Sequence, residues 1–189
     1  MRLLRLVLVS CVLATIVPVM SFPQTPTPTP QPTPVAPQAK AGDVDSIEHI
    51  IAAVYDVISG PAATPRDWNR FRSLFYPGAR LVPSFRDKDG NVRANTATPD
   101  EYSQRAQAYF DKEGFFESPV ANRVESWDRI AHVWSTYESR HAKGEKPFAR
   151  GINSFQLLYD GSRWWVLTIY WEGEEPAHPL PEKYLSGSN

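Results

Sequence analysis

Thiols are almost missing from this chain. Cys11 is the single cysteine among 189 residues, and it lies in an N-terminal segment that reads as removable. Once that segment is gone, the protein has no disulfide, no thiolate metal site and no cysteine nucleophile. A surplus of positive charge is also missing. Lys and Arg total 20 against 21 Asp and Glu, and the loss of Arg2 and Arg5 with the leader brings the balance to −3. That leaves no electrostatic footprint for nucleic acid. The four histidines include no pair at metal-ligand spacing, and there is no HExxH, Gly-rich phosphate loop or Ser-His-Asp order. Asp87-Lys88-Asp89-Gly90-Asn91 resembles a calcium loop, but no closing glutamate follows, so it reads as a hairpin turn. No metal or cofactor is expected.

Long apolar runs occur once, at the start. Arg2 and Arg5 precede the apolar stretch Leu6 to Val17, and Val19 and Ser21 suit a cleavage site. Residues 1–21 therefore read as a signal peptide, and the protein as periplasmic or secreted. The alternative is an uncleaved anchor, the one route to a membrane. A lipoprotein box at Leu8-Val9-Ser10-Cys11 would leave too short an apolar core before the cysteine. Proline alternates with threonine in "FPQTPTPTPQPTPVAPQAKAG", so residues 22–40 read as an extended spacer. Residues 41–189 are left as one folded domain.

That domain opens with helical periodicity. Ile47, Ile50, Ile51, Val54 and Ile58 mark a helix within 43–59, stopped by Gly60-Pro61. A second helix is expected from Thr64-Pro65, with Trp68, Phe71, Leu74 and Phe75 on its apolar face. A strand over 79–85, the Asp87–Asn91 turn and a strand from Val92 come next. Thr98-Pro99-Asp100-Glu101 is a capping box for a third helix, ended by Gly114. Beyond it lie antiparallel strands over 120–127 and 130–140. A last hairpin, 148–172, turns at Asp160-Gly161 and carries three of the six tryptophans in its second arm. Helices segregate from strands, so the fold class is α+β: a curved, mostly antiparallel sheet wrapped on three helices of the N-terminal half.

"IIAAVYDVISGPA", "RDWNRFRSLFYPGARL", "AHVWSTYESR" and "FARGINSFQLLYDGSRWWVLTIYWEGE" resemble the nuclear transport factor 2-like (SnoaL-like) superfamily. The likeness is greatest to a group of small bacterial proteins of unassigned activity. It covers residues 50 to 173 nearly continuously. It implies a cone with a pocket between helices and sheet, and homodimers formed through the outer sheet faces. The superfamily includes ketosteroid isomerases, polyketide cyclases, scytalone dehydratases and pure binding proteins, so the fold does not choose the chemistry. Neither the aspartate–tyrosine set of the isomerases nor the His-Asp pairs of the dehydratases and cyclases maps onto this chain residue by residue.

The candidate site residues follow from strand alternation. Arg150, Ser154 and Gln156 share one side of a strand and could hold a carboxylate or other polar group, although Glu138 on the next strand could neutralise Arg150 instead. Tyr55, Trp68 and Tyr137 would wall an apolar pocket. In the last strand Trp165, Leu167, Ile169 and Trp171 form one row, and Trp164, Val166, Thr168 and Tyr170 the other. One row is expected in the cone, the other against a partner subunit. His132 and Glu138 are the candidates for acid–base work. The expected function is binding of a small, largely apolar ligand. The alternatives are a cofactor-free lyase, isomerase or hydrolase, and a dimeric interaction module on a proline spacer.

Overall fold

Helix α1 (Ile47–Ile58) buries one face almost completely, from Ile50 through Ile58. The computed structural model describes residues 35–186. The segments expected to be a signal peptide and, for the most part, a spacer lie outside the described residues. After α1 come α2 (Trp68–Ser73), β1 (Phe75–Arg86), β2 (Val92–Ala94), α3 (Pro99–Phe110), β3 (Phe116–Trp127), β4 (Ile130–Arg140), β5 (Ala149–Tyr159) and β6 (Trp164–Gly173). No helix among the described residues is long and apolar enough to cross a membrane.

The strands form one sheet in the order β2-β1-β6-β5-β4-β3. All neighbours are antiparallel except β1 and β6, which run parallel. The sheet's inner face presents Ala131, Val133, Phe155, Leu157, Val166 and Ile169 to a core shared with α1 and α2. The α+β architecture is thus the one expected.

Two elements differ from the sequence expectation. The second helix is capped by Asp67, whose carboxylate accepts from Arg70 N at 2.8 Å, not by Thr64. The reason is Arg66. Its guanidinium turns back to the end of α1 and donates to the carbonyls of Ile58 (2.9 Å), Gly60 (2.7 Å), Pro61 (3.2 Å) and Thr64 (2.6 Å). A cation at a helix C-terminus satisfies carbonyls that have no partner within the helix. Gly60 permits the approach, since a Cβ there would lie 2.7 Å from Arg66 Nη1. The backbone in this wrap includes Ala63 at φ 56°, in the left-handed region. Phe75, expected in α2, instead opens β1 opposite Val166.

The other difference is a bulge in β6. Gln156 pairs with Thr168 but Leu157 pairs with Val166, leaving Leu167 as the extra residue. A bulge inverts the alternation beyond it. Trp164 and Val166 before the bulge therefore share the inner side with Ile169 and Trp171 after it. The two rows read from strict alternation are corrected accordingly, and Trp165 and Tyr170 face outward.

The outer sheet face is partly covered by the chain itself. Thr136 Oγ1 donates to Tyr184 O at 2.6 Å, and the Tyr184 ring packs on Trp134 with centroids 5.6 Å apart. At the other end of this face Trp127 and Ile130 stay 78% and 57% exposed.

Arg66 is 7% exposed, and its hydrogen bonds close the turn from the end of α1 to α2. Arg66→Ala is expected to lower stability by about 2–4 kcal/mol, with Arg66→Lys recovering a minor part. Urea unfolding of the three proteins measures this. A change within error for Arg66→Ala would show that the loop holds itself.

Candidate functional site

The cone's closed end is polar. Ser135, Tyr137 and Ser139 on β4 face inward, opposite Asn122, Pro119 and Glu117 on β3 and Asn153 and Gly151 on β5. Asn153 Nδ2 donates to Tyr55 Oη at 3.1 Å and to Glu117 Oε1 at 3.3 Å. Ser139 Oγ donates to Glu117 Oε2 at 2.8 Å, and Tyr55 Oη and Ser135 Oγ are 2.6 Å apart. One chain of hydrogen bonds thus ties α1 to three strands. Ser59, just past α1, accepts from Glu117 N at 3.0 Å and donates to Tyr55 O at 2.7 Å, which sets where the Glu117 side chain enters.

Glu117 is a half-buried carboxyl with neutral hydrogen-bond partners. Burial pushes it up to about 7, against the opposing pull of the Ser139 and Asn153 hydrogen bonds. The phenols of Tyr102 and Tyr137 are raised above their usual range, first by burial and then by the nearby Glu117 charge. Both remain protonated near neutrality and can donate. Gly151 makes room for one of them, because a Cβ there would lie 2.5 Å from Tyr137 Oη.

These groups end an apolar cavity. An inner chamber of 110 Å³ is lined by Glu117, Tyr137, Asn153 and Tyr102 together with Phe71, Phe155 and Ile169. A vestibule of 310 Å³ between α3 and the sheet is lined by Ala106, Tyr109, Phe110 and Pro83, with Arg105 as its charged residue. Tyr102, Phe115 and Trp171 line both spaces. Both spaces are walled mainly by aromatic and aliphatic side chains, and the inner one meets the Glu117 carboxyl and the phenols of Tyr102 and Tyr137.

Of the residues picked from the sequence, Tyr137 and Trp171 line the inner chamber. Tyr55 stands behind it, holding Asn153. Trp68 is a packing residue on the helical side, stacked on Phe110 at 6.1 Å and donating to Gln107 Oε1 at 2.5 Å. Arg150, Ser154, Gln156, His132 and Glu138 all lie on the outer face. His132 pairs with Gln156, Trp134 with Ser154 and Glu138 with Arg150, alternating with the core pair Val133 and Phe155. Arg150 and Ser154 therefore share a side as expected, but it is the side away from the cone. Glu138 is occupied by Arg140 and by Arg150, whose Nε lies 3.4 Å from Oε1. His132 Nε2 lies 3.1 Å from Ser154 Oγ.

Glu117, Asn153 and Tyr102 were not among the site residues picked from the sequence. The antiparallel pairing was expected from Val120, three residues beyond Glu117. It extends back to Phe116 across a register shift between Pro119 and Ala121, where a missing N–H is tolerated. A signal for Asn153 was present: it falls at period two with Phe155 and Leu157, the apolar side of β5.

The architecture matches solved structures. A protein of unknown function with a cystatin-like fold from Nostoc punctiforme is 14% identical with a TM-score of 0.52, covering 71% of this chain and 92% of that one. An uncharacterised protein with a cystatin-like fold from Caulobacter vibrioides is 14% identical with a TM-score of 0.51, over 70% of this chain and 90% of its own. A nuclear transport factor 2-like protein of unknown function from Pseudomonas putida is 9% identical with a TM-score of 0.51, over 67% and 82%. The fold is the nuclear transport factor 2-like cone. At these identities the likeness is one of fold, and the site must be argued from its own residues. No protein-family model matches the chain, and no curated protein does.

The raised Glu117 value sets a pH dependence. A glutamate that titrates at 4.5 in the open chain and near 7 in the fold leaves the folded state holding more protons between those values. Its contribution is complete below that window and lost as pH rises through it, on the order of 3 kcal/mol. Glu117→Gln is expected to flatten this fall and to exceed the native protein in stability at pH 8. Urea midpoints at pH 5 and pH 8 check it; parallel profiles for both proteins would show Glu117 to be hydrated and ordinary.

Proposed function

We propose that the cone binds a small, flat, largely apolar molecule carrying one oxygen function, with the oxygen seated against Glu117, Tyr102 and Tyr137. The observation that carries this reading is the cavity's polarity. Its aromatic passage ends at an uncharged or singly charged carboxyl beside two phenol donors. Apolar walls supply affinity by removing surface from water, and a few convergent polar groups fix orientation. Residues 1–21 support an exported setting for this binding.

2-Naphthol has the required shape and serves as the probe. It is expected to bind the full chain by equilibrium dialysis, and Ala106→Trp, which fills the vestibule, is expected to weaken binding by more than about tenfold. Equal affinity for the variant would place the ligand elsewhere and sink the reading.

A second reading rests on Glu117 alone. A carboxyl poised near neutrality beside phenol donors suits cofactor-free proton transfer next to a carbonyl. Glu117 would take the proton and a tyrosine hydroxyl would donate to the developing oxyanion. Deuterium exchange at the benzylic α-carbon of 2-tetralone, followed by NMR, separates the two. Proton transfer predicts acceleration by the native protein and a loss of about a hundredfold in Glu117→Gln. Binding of the ketone without accelerated exchange leaves binding alone.

A further inference from the structure

The outer sheet face holds a second cavity, whose lining does not include Glu117. It measures 410 Å³ and lies between the sheet and the segment Glu174–Pro181 that follows β6. Its floor is set by strand register. Trp134 on β4 pairs with Ser154 on β5, and Ser154 with Tyr170 on β6. Neighbouring strands lie about 4.8 Å apart, so the two aromatic residues stand about 10 Å apart with only a serine between them. Ser154 is too small to fill that interval, and its hydroxyl is held down by His132. The result is a slot with an aromatic side chain on each flank. In the adjacent row Ile152 pairs with Glu172.

Charge decides what the slot accepts. Arg86 pairs with Glu175 at 3.1 Å, and Arg150 is shared by Glu138 at 3.4 Å and Glu174 at 3.7 Å. Glu174 also accepts from Leu180 N at 2.9 Å. His178 lies against Arg86, with Nε2 3.5 Å from Nη2. Both arginines are therefore neutralised. Glu172, exposed at the slot, has no ion-pair partner among the described residues. A carboxylate expected here from the sequence would meet no free cation and one free anion.

We propose that this cavity is a binding site for a small organic ammonium, held between Trp134 and Tyr170 and neutralised by Glu172. A weakly hydrated ammonium is attracted to aromatic faces, and a nearby carboxylate adds to that. Leu180, Pro179 and Pro181 close the far side with apolar surface suited to the ligand's methyl groups. The volume is that of a small-molecule site rather than a groove for a chain. Tyr170, 45% exposed, is the ring most open to an entering ligand.

The test compares choline with 3,3-dimethylbutan-1-ol, its uncharged isostere, by calorimetric titration of the full chain. Choline is expected to bind at least about fivefold tighter, within the range that cation–aromatic contacts supply. Glu172→Gln, a substitution at an exposed side chain, is expected to reduce the ratio, and Ser154→Leu to abolish binding of both compounds by filling the slot. Glu117→Gln, in the cone, is expected to leave choline affinity unchanged. Equal binding of choline and the alcohol would overturn the charge argument. No binding of either at tens of millimolar, or choline binding that survives Ser154→Leu in a protein with native circular dichroism, would overturn the site.

Discussion

Asn153 occupies the point on which the interior depends. Its amide nitrogen meets the Tyr55 hydroxyl from α1 and the Glu117 carboxyl from β3, while its backbone belongs to β5. Buried polar groups cost free energy unless they are paired, and a network with one member missing is worse than an apolar core. Ser135, Ser139, Tyr55, Asn153 and Glu117 thus hold one another in place. Together they keep the end of the cone polar in a core otherwise built from Phe71, Phe75, Phe155 and aliphatic side chains. With neutral partners around it, Glu117 retains its proton to an unusually high pH. Had an arginine stood where Asn153 stands, the same carboxyl would be permanently charged and the cavity a binding site of another kind.

The two faces of the sheet solve different problems. Inside, aromatic rings from α2, α3, β4, β5 and β6 line the chamber, and Gly151 permits the Tyr137 hydroxyl its position by having no side chain of its own. Outside, charged residues pair across strands, and the C-terminal segment lies over Trp134 through the Tyr184 ring. Rings appear on both sides of β6 because each side has its own cover: the helices for Trp164 and Trp171, the chain's C-terminal segment and solvent for the outer row. The resemblance had placed a partner subunit against that outer row. Part of the role is taken by this chain's own residues, with Thr136 donating to the backbone of Tyr184.

The helices were legible because their signals are local. Thr98 and Glu101 form the reciprocal cap that their spacing implies, and the apolar stripe of α1 is the buried one. The start of α2 was not legible, because Arg66 reaches back across six to eight residues to the carbonyls of Gly60 and Ile58. The strands were legible as strands but not in their facing. A period of two identifies which residues share a side and is silent on which side is covered. Arg150 and Ser154 were correctly grouped and wrongly turned inward; Leu167 then inverted the alternation in β6, an event with no signature in the apolar pattern around it.

Composition and periodicity by themselves determined the α+β class and the abundance of aromatic side chains. Each of these follows from residue type and near-neighbour spacing. Tertiary structure alone decided that Glu117 would be the acid of the cone, since an ordinary glutamate becomes unusual only when distant segments exclude water from it. Tyr55, Asn153 and Ser139 lie far from Glu117 in the chain and adjacent to it in space. Burial is a property of that assembly, and no pattern within any one strand records it.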